Sequence, residues 1–122
     1  MNVNEIGTKL VALCKEGKNR EAAETLYAKD VESIEAAAPP GGSRSVKGIE
    51  AVHAKGAWWA ENNVVHEAHA FGPYPHGDDR FAVRFLYEVT FKPTNTRRTL
   101  DEVAVFHVAN GKIVREEFFY AS

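Results

Sequence analysis

From Arg80 to Lys92 the chain places Phe81, Val83, Phe85, Tyr87, Val89 and Phe91 at every second position. That period belongs to a strand, whose side chains alternate between two faces, and not to a helix, whose faces recur about every 3.6 residues. Residues 80–92 are therefore expected to form a long strand with one face buried under other elements. Of the 13 aromatic residues, 12 lie at or beyond Trp58, which puts the sheet in the C-terminal half and helices before it.

The remaining segments fit that division. Residues 4–16 carry Ile6, Leu10, Leu13 and Cys14 at helical spacing, with Gly17 as the stop. Asn19 is placed to cap a short second helix whose buried stripe is Ala22, Ala23, Leu26 and Tyr27. Residues 31–37 alternate like a strand, and 38–46 (APPGGSRSV) read as a loop. A third helix runs from Gly48 to about Asn62, with Ile49, Val52, Gly56 and Trp59 on one face. Strands are expected over 64–71, 80–92, 98–108 and 112–120, with GPYPHGDD as a connection and a turn at Asn110-Gly111. Helices first and an antiparallel meander afterwards give one α+β domain over residues 1–122.

The register of the last hairpin decides which glutamates face inward. A three-residue loop over Ala109, Asn110 and Gly111 sets Phe106 opposite Val114 and Ala104 opposite Glu116. One face then holds Glu102, Ala104, Phe106, Val108, Val114, Glu116, Phe118 and Tyr120. A two-residue turn would instead bring Glu117 to the Glu102 face. The three-residue loop is preferred. The other face, with Val103, Val105, Ile113 and Phe119, is also too apolar for water, so a two-fold homodimer through the outer sheet face is expected.

Fifteen Lys+Arg balance 17 Asp+Glu, giving a net charge of -2 and a pI near 6.2. Such a balance supplies no basic face for nucleic acid. No apolar run approaches the roughly 20 residues of a membrane helix, and MNVNEIG lacks the basic and apolar regions of a secretion signal. With Cys14 as the lone cysteine, a cytoplasmic address is expected.

Two short helices, a strand ending in a carboxylate, a flexible loop, Gly48-Ile49-Glu50-Ala51-Val52 opening a third helix, and a meander closing with Asn110-Gly111-Lys112-Ile113-Val114 form a distinctive succession. It resembles the SnoaL-like branch of the nuclear-transport-factor-2-like superfamily over nearly the whole chain. The resemblance implies a cystatin-like cone, in which N-terminal helices pack into the concave face of a strongly curved, mainly antiparallel sheet around a pocket. It also implies cofactor-free chemistry of the ketosteroid isomerase or polyketide cyclase type, or non-catalytic ligand binding. In the isomerase pattern the carboxylate base falls on Glu35. The oxyanion-stabilising aspartic acid falls near Ala104, so that donor is missing, and Glu102 lies two residues earlier on the same face. The epoxide hydrolase pattern is not met, because Tyr87 and Phe118 stand where its Arg and last-strand Asp would be.

A carboxylate in an apolar interior has its ionised form disfavoured, which brings its pKa toward neutrality and suits it to shuttle protons. Glu102 and Glu116, expected close together on adjacent strands, are the leading acid/base candidates, with Glu35 and His66 in reserve. Such a set suits isomerisation, dehydration or cyclisation of a small hydrophobic carbonyl or hydroxyl compound. Tyr27, Trp59, Phe85, Tyr87, Phe106, Phe118 and Tyr120 are the expected substrate-binding walls. His66 and His69, three apart on a strand, point to opposite faces and cannot share an ion, so no metal or cofactor is expected. Gly41-Gly42-Ser43-Arg44 lacks phosphate-loop spacing and reads as a loop or a lid over the mouth. Two readings stay beside the enzyme: a non-catalytic small-ligand binding module, and a dimeric interaction domain whose interior is filled by its own side chains.

Overall fold

The computed structural model describes residues 1–121. Helix α1 (Val3–Lys15) starts on a reciprocal cap: the Asn2 side chain accepts from the Glu5 backbone N–H at 2.9 Å, while Glu5 Oε1 accepts from the Asn2 N–H at 3.0 Å. Its buried stripe includes Ile6, Leu10, Leu13 and Cys14, as the spacing requires. Gly7 lets the helix press onto the sheet, since a Cβ there would stand 2.7 Å from the Cβ of Pro73.

Helix α2 (Asn19–Leu26) begins from Lys18 without a side-chain cap, so Asn19 is the first helical residue and not its cap. Tyr27 leaves the helix in extended geometry and opens β1 (Tyr27–Ile34), pairing in parallel with Ile113. The expected helical stripe thus ends one residue early, and the strand starts four residues before Val31. β2 (Ser45–Lys47) pairs antiparallel with β1 and claims the end of the expected loop.

Helix α3 (Ile49–Asn62) leads into β3 (Asn63–His76), β4 (Arg80–Phe91), β5 (Thr96–Ala109) and β6 (Lys112–Phe119). The prolines and glycine of residues 72–76 stay within β3, accommodated by a register shift between Phe71 and Tyr74. The six strands form one mixed, mainly antiparallel sheet in the order β2-β1-β6-β5-β4-β3, with β1 and β6 parallel. Three helices and this sheet make the α+β fold expected from the sequence.

The core lies between the helices and one sheet face. Ile6, Leu10, Leu26, Val31, Phe81, Val83, Phe106 and Ile113 are all buried there. Phe81 and Phe106 stack at 5.0 Å, so Phe106 is core filler and not a wall open to ligand. Cys14 is likewise buried, and desolvation, with the charge of Glu116 adding to it, pushes its thiol up to about 12, leaving it unreactive.

The final hairpin turns on two residues, Asn110 (φ 53°) and Gly111 (φ 74°), with Ala109 opposite Lys112. By itself that turn would send Glu117 inward. A register shift between His107 and Val108 inserts one extra residue on β6 and restores the parity, so that Phe106 pairs with Glu116 and Ala104 with Phe118. The three-residue loop is not formed, but Glu116 keeps the inward face.

Candidate functional site

Two adjacent strands and one helix assemble a polar cluster on the helix-covered face. Ser33 on β1 pairs with Glu116 on β6, and both are buried, at 0% and 5% exposure. Glu116 accepts a hydrogen bond from the Tyr27 hydroxyl on one oxygen and from Ser33 Oγ, at 2.7 Å, on the other. Burial raises the Glu116 carboxyl above the usual range, while the two hydroxyl donors oppose that rise. The same burial, reinforced by the Glu116 charge, lifts the Tyr27 phenol well above its ordinary value, so it remains a donor.

Lys55 enters from α3. Its Nζ donates to Ser33 Oγ at 2.7 Å, forms an ion pair with Glu35 and lies 5.2 Å from the centre of the Phe118 ring. Glu35, one residue beyond β1, also accepts from the Tyr120 hydroxyl at 2.9 Å. Burial, with Glu35 as the next cause, raises Tyr120 to about 12. A continuous chain of contacts therefore runs Tyr27, Glu116, Ser33, Lys55, Glu35, Tyr120.

Glu102, on β5 opposite Phe85, stands apart from this chain. It makes no hydrogen bond or ion pair among the described residues. Desolvation raises its carboxyl from 4.5 to about 7, the charge of Glu35 adds to the rise, and Lys55 and Arg98 pull against it. The cluster holds three carboxyls and one ammonium in a partly desolvated space, so full ionisation is disfavoured. The group without a compensating donor is the one held near neutrality.

The site differs from the sequence expectation in several ways. Glu102 and Glu116 are not neighbours: with Phe106 opposite Glu116, three residues of β5 lie between Glu102 and that position, and each glutamate is coupled instead to Glu35 and Lys55. His66 is exposed, its Nε2 2.7 Å from Thr90 Oγ1 at the sheet edge, and does not reach the interior. Arg84, Arg97 and Arg115 pair with Asp101, Glu88, and Glu32 and Glu117, so none of them neutralises Glu102 or Glu116. On α3 Gly56 is exposed, and the half-buried position beside Val52 belongs to Lys55.

Of the expected walls, Tyr27 is spent on Glu116, and Phe85 is buried at an edge-on 6.2 Å contact with Tyr87. Trp59 meets Tyr87 edge-on at 6.1 Å and is half-buried, whereas Trp58 is exposed against Phe91. Phe118 and Tyr120 are half-buried beside Lys55 and Glu35. Two surface concavities, about 410 and 240 Å³, lie along α1 and beside the β3–β4 turn, and neither is lined by these residues. Arg44 Nε donates to the Glu35 carbonyl at 3.0 Å, tying the Gly-rich loop to the end of β1.

Lys55 and Ser33 were not singled out from sequence. Both were accessible to it: Lys55 is three residues after Val52 on the helix, and Ser33 is two after Val31 on the strand, each in phase with a buried apolar residue.

Three helices over one face of a six-stranded mixed sheet, with carboxyls gathered on that face, define a protein of the cystatin-like and ketosteroid isomerase-like fold class. A SnoaL-like domain is matched over residues 1–120, and the chain belongs to the SnoaL-like domain family. A protein from Mesorhizobium loti, named provisionally as a SnoaL-like polyketide cyclase, is 44% identical, with 95% of this chain and 97% of that chain covered and a TM-score of 0.89. A hypothetical protein of ketosteroid isomerase-like fold from Catenulispora acidiphila, solved in complex with trimethylamine, is 21% identical over 98% and 87% of the two chains, with a TM-score of 0.71. A protein of unknown function with a cystatin-like fold from Xanthomonas campestris reaches a TM-score of 0.78 at 17% identity, covering 100% of this chain and 92% of that one. No functionally curated protein matches the chain.

Proposed function

We propose that this SnoaL-like protein carries out cofactor-free proton-transfer chemistry, an isomerisation, dehydration or cyclisation, on a small hydrophobic carbonyl or hydroxyl compound, with Glu102 as the acid/base. The observation that supports this is the state of Glu102: half-shielded, free of donors and held at about 7. At neutral pH its ionised form can take a proton from the carbon next to a carbonyl, and the acid so formed can return it to another atom of the same substrate. Glu116, with both oxygens already bonded, positions Ser33 and through it Lys55. Glu35 holds Lys55 from the other side. Tyr120, Phe118, Tyr87 and Trp59 supply the apolar wall.

The test is exchange of α-hydrogens of activated ketones for solvent deuterium, followed by NMR. Wild-type protein should accelerate exchange with an inflection near pH 7, and Glu102→Gln should slow it by about 10²- to 10⁴-fold. Undiminished exchange in the variant removes Glu102 from the chemistry. The mutual packing of Phe85, Tyr87 and Trp59, which occupies part of the interior, favours as a second reading a dimeric interaction domain whose interior is filled by its own side chains; a non-catalytic small-ligand binding module is the other alternative. Selective ligand stabilisation with no exchange would support binding alone.

The same proposal includes a second copy of the chain on the outer sheet face. Phe71, Arg84, Val103 and Phe119 form one row across β3, β4, β5 and β6, with Val103 and Phe119 directly opposed and 40% and 50% exposed. Flanking pairs of both signs, Arg84 with Asp101 and Arg115 with Glu117, give that face the self-complementarity a two-fold interface needs.

A further inference from the structure

Arg98 differs from the other six arginines. Arg20, Arg80, Arg84, Arg97 and Arg115 each engage a carboxylate, and Arg44 engages a carbonyl. Arg98 has neither partner among the described residues. Its guanidinium lies 5.6 Å from the centre of the Phe91 ring. The register fixes where it belongs: Arg98 pairs with Val89, Leu100 with Tyr87 and Glu102 with Phe85. Phe85 and Val89 are buried, so this row of β5 lies on the helix-covered side, running from an exposed cation through a half-buried Leu100 to Glu102.

We infer that the substrate is an amphipathic acid, whose carboxylate is seated by Arg98 while its apolar body passes over Leu100 and Tyr87 to bring a carbonyl to Glu102. This rests on the proton-transfer reading of Glu102 and adds to it the class and orientation of the substrate. A planar guanidinium held over an aromatic ring without a carboxylate partner has N–H donors available for two-point contact with a carboxylate. Four residues of strand set the two ends about 13 Å apart at the backbone, a span that a chain of several carbons matches. The inner end, with Glu35, Glu102 and Glu116 against Lys55 alone, repels an anion, so the acid group faces out and the carbonyl in.

The experiment measures equilibrium binding of a short and a long ω-benzoylalkanoate and of their primary amides to the wild-type protein and to Arg98→Met and Arg98→Lys. The wild type should bind the long acid about tenfold more tightly than its amide, as expected for a charge-assisted pair in place of a neutral one, with the preference falling as salt is added. Arg98→Met should abolish the preference, and Arg98→Lys should keep part of it. Because Arg98 holds the Glu102 carboxyl down, its neutralisation by the bound acid should also produce proton uptake near pH 7. Equal affinity for acid and amide, a preference that survives Arg98→Met, or binding by none of the four probes overturns the inference. A carboxylate preference accompanied by undiminished deuterium exchange in Glu102→Gln would keep the anion seat and discard Glu102 as base, so the two failures are distinguishable.

Discussion

Replacing Glu102 by Gln should change how stability depends on pH, independently of any substrate. In the unfolded chain this carboxyl titrates near 4.5, and in the folded protein it is held at about 7, chiefly by burial. A raised folded pKa means that the native state binds the extra proton, so the stabilisation is complete below pH 4.5 and is lost as pH rises through 7. At about 1.36 kcal/mol per pH unit the interval is worth about 3 kcal/mol, and partial exposure of the side chain reduces this to about 2 kcal/mol. Glutamine keeps the shape of the protonated acid and cannot ionise. Near pH 4 the variant and wild type should unfold at the same urea concentration, whereas at pH 8 the variant should be more stable by about 2 kcal/mol. Urea titrations followed by tryptophan fluorescence, at one fixed protein concentration, measure the difference directly. Parallel stability curves from pH 4 to pH 8 would show that Glu102 is ordinarily hydrated and would refute the reasoning behind its assignment.

Tyr27→Phe removes one of the two donors to a buried carboxylate; it should cost about 1–3 kcal/mol and move the Glu116 carboxyl further up, readable by urea unfolding and by carboxyl-carbon NMR. Lys55→Met deletes a cation that holds Glu102 down, so the Glu102 titration should move above about 7 in the same NMR experiment, while Glu35 loses its ion pair. Val103→Glu and Phe119→Glu place charges in the outer apolar row; each should convert a dimer to monomer in sedimentation equilibrium, and a wild-type monomer at high micromolar concentration would remove the proposed interface.

The parts of the fold that the sequence revealed are those where one physical preference acts without competition. The period-two run of β4 and the helical stripe of α1 recur in the structure because burial of a single apolar face decides both. Glu116 was assigned to the correct face although the turn was not, since a two-residue turn and a bulge together have the same parity as the expected loop. Elsewhere longer-range contacts prevailed. Tyr27 continues a helical pattern locally, yet its pairing with Ile113 and its bond to Glu116, both distant in sequence, take it into the sheet. Pro73 and Pro75 look like a connection, but edge strand β3 tolerates them because its outer side needs no ladder. Lys55 and Ser33 are missed for a simpler reason: hydrophobic patterning counts apolar side chains, and these polar ones hold inward positions that only their phase with Val52 and Val31 marks.

The extra residue on β6 has a consequence for how this hairpin can change length. Adding or deleting a single amino acid between Ala109 and Glu116 would rotate the following strand by half a turn, sending Glu116 to water and Glu117 to the interior. Changes of two would leave both where they are. Homologous chains that retain the inner carboxyl should therefore vary here only by even numbers, and an odd difference should coincide with a glutamate displaced by one position.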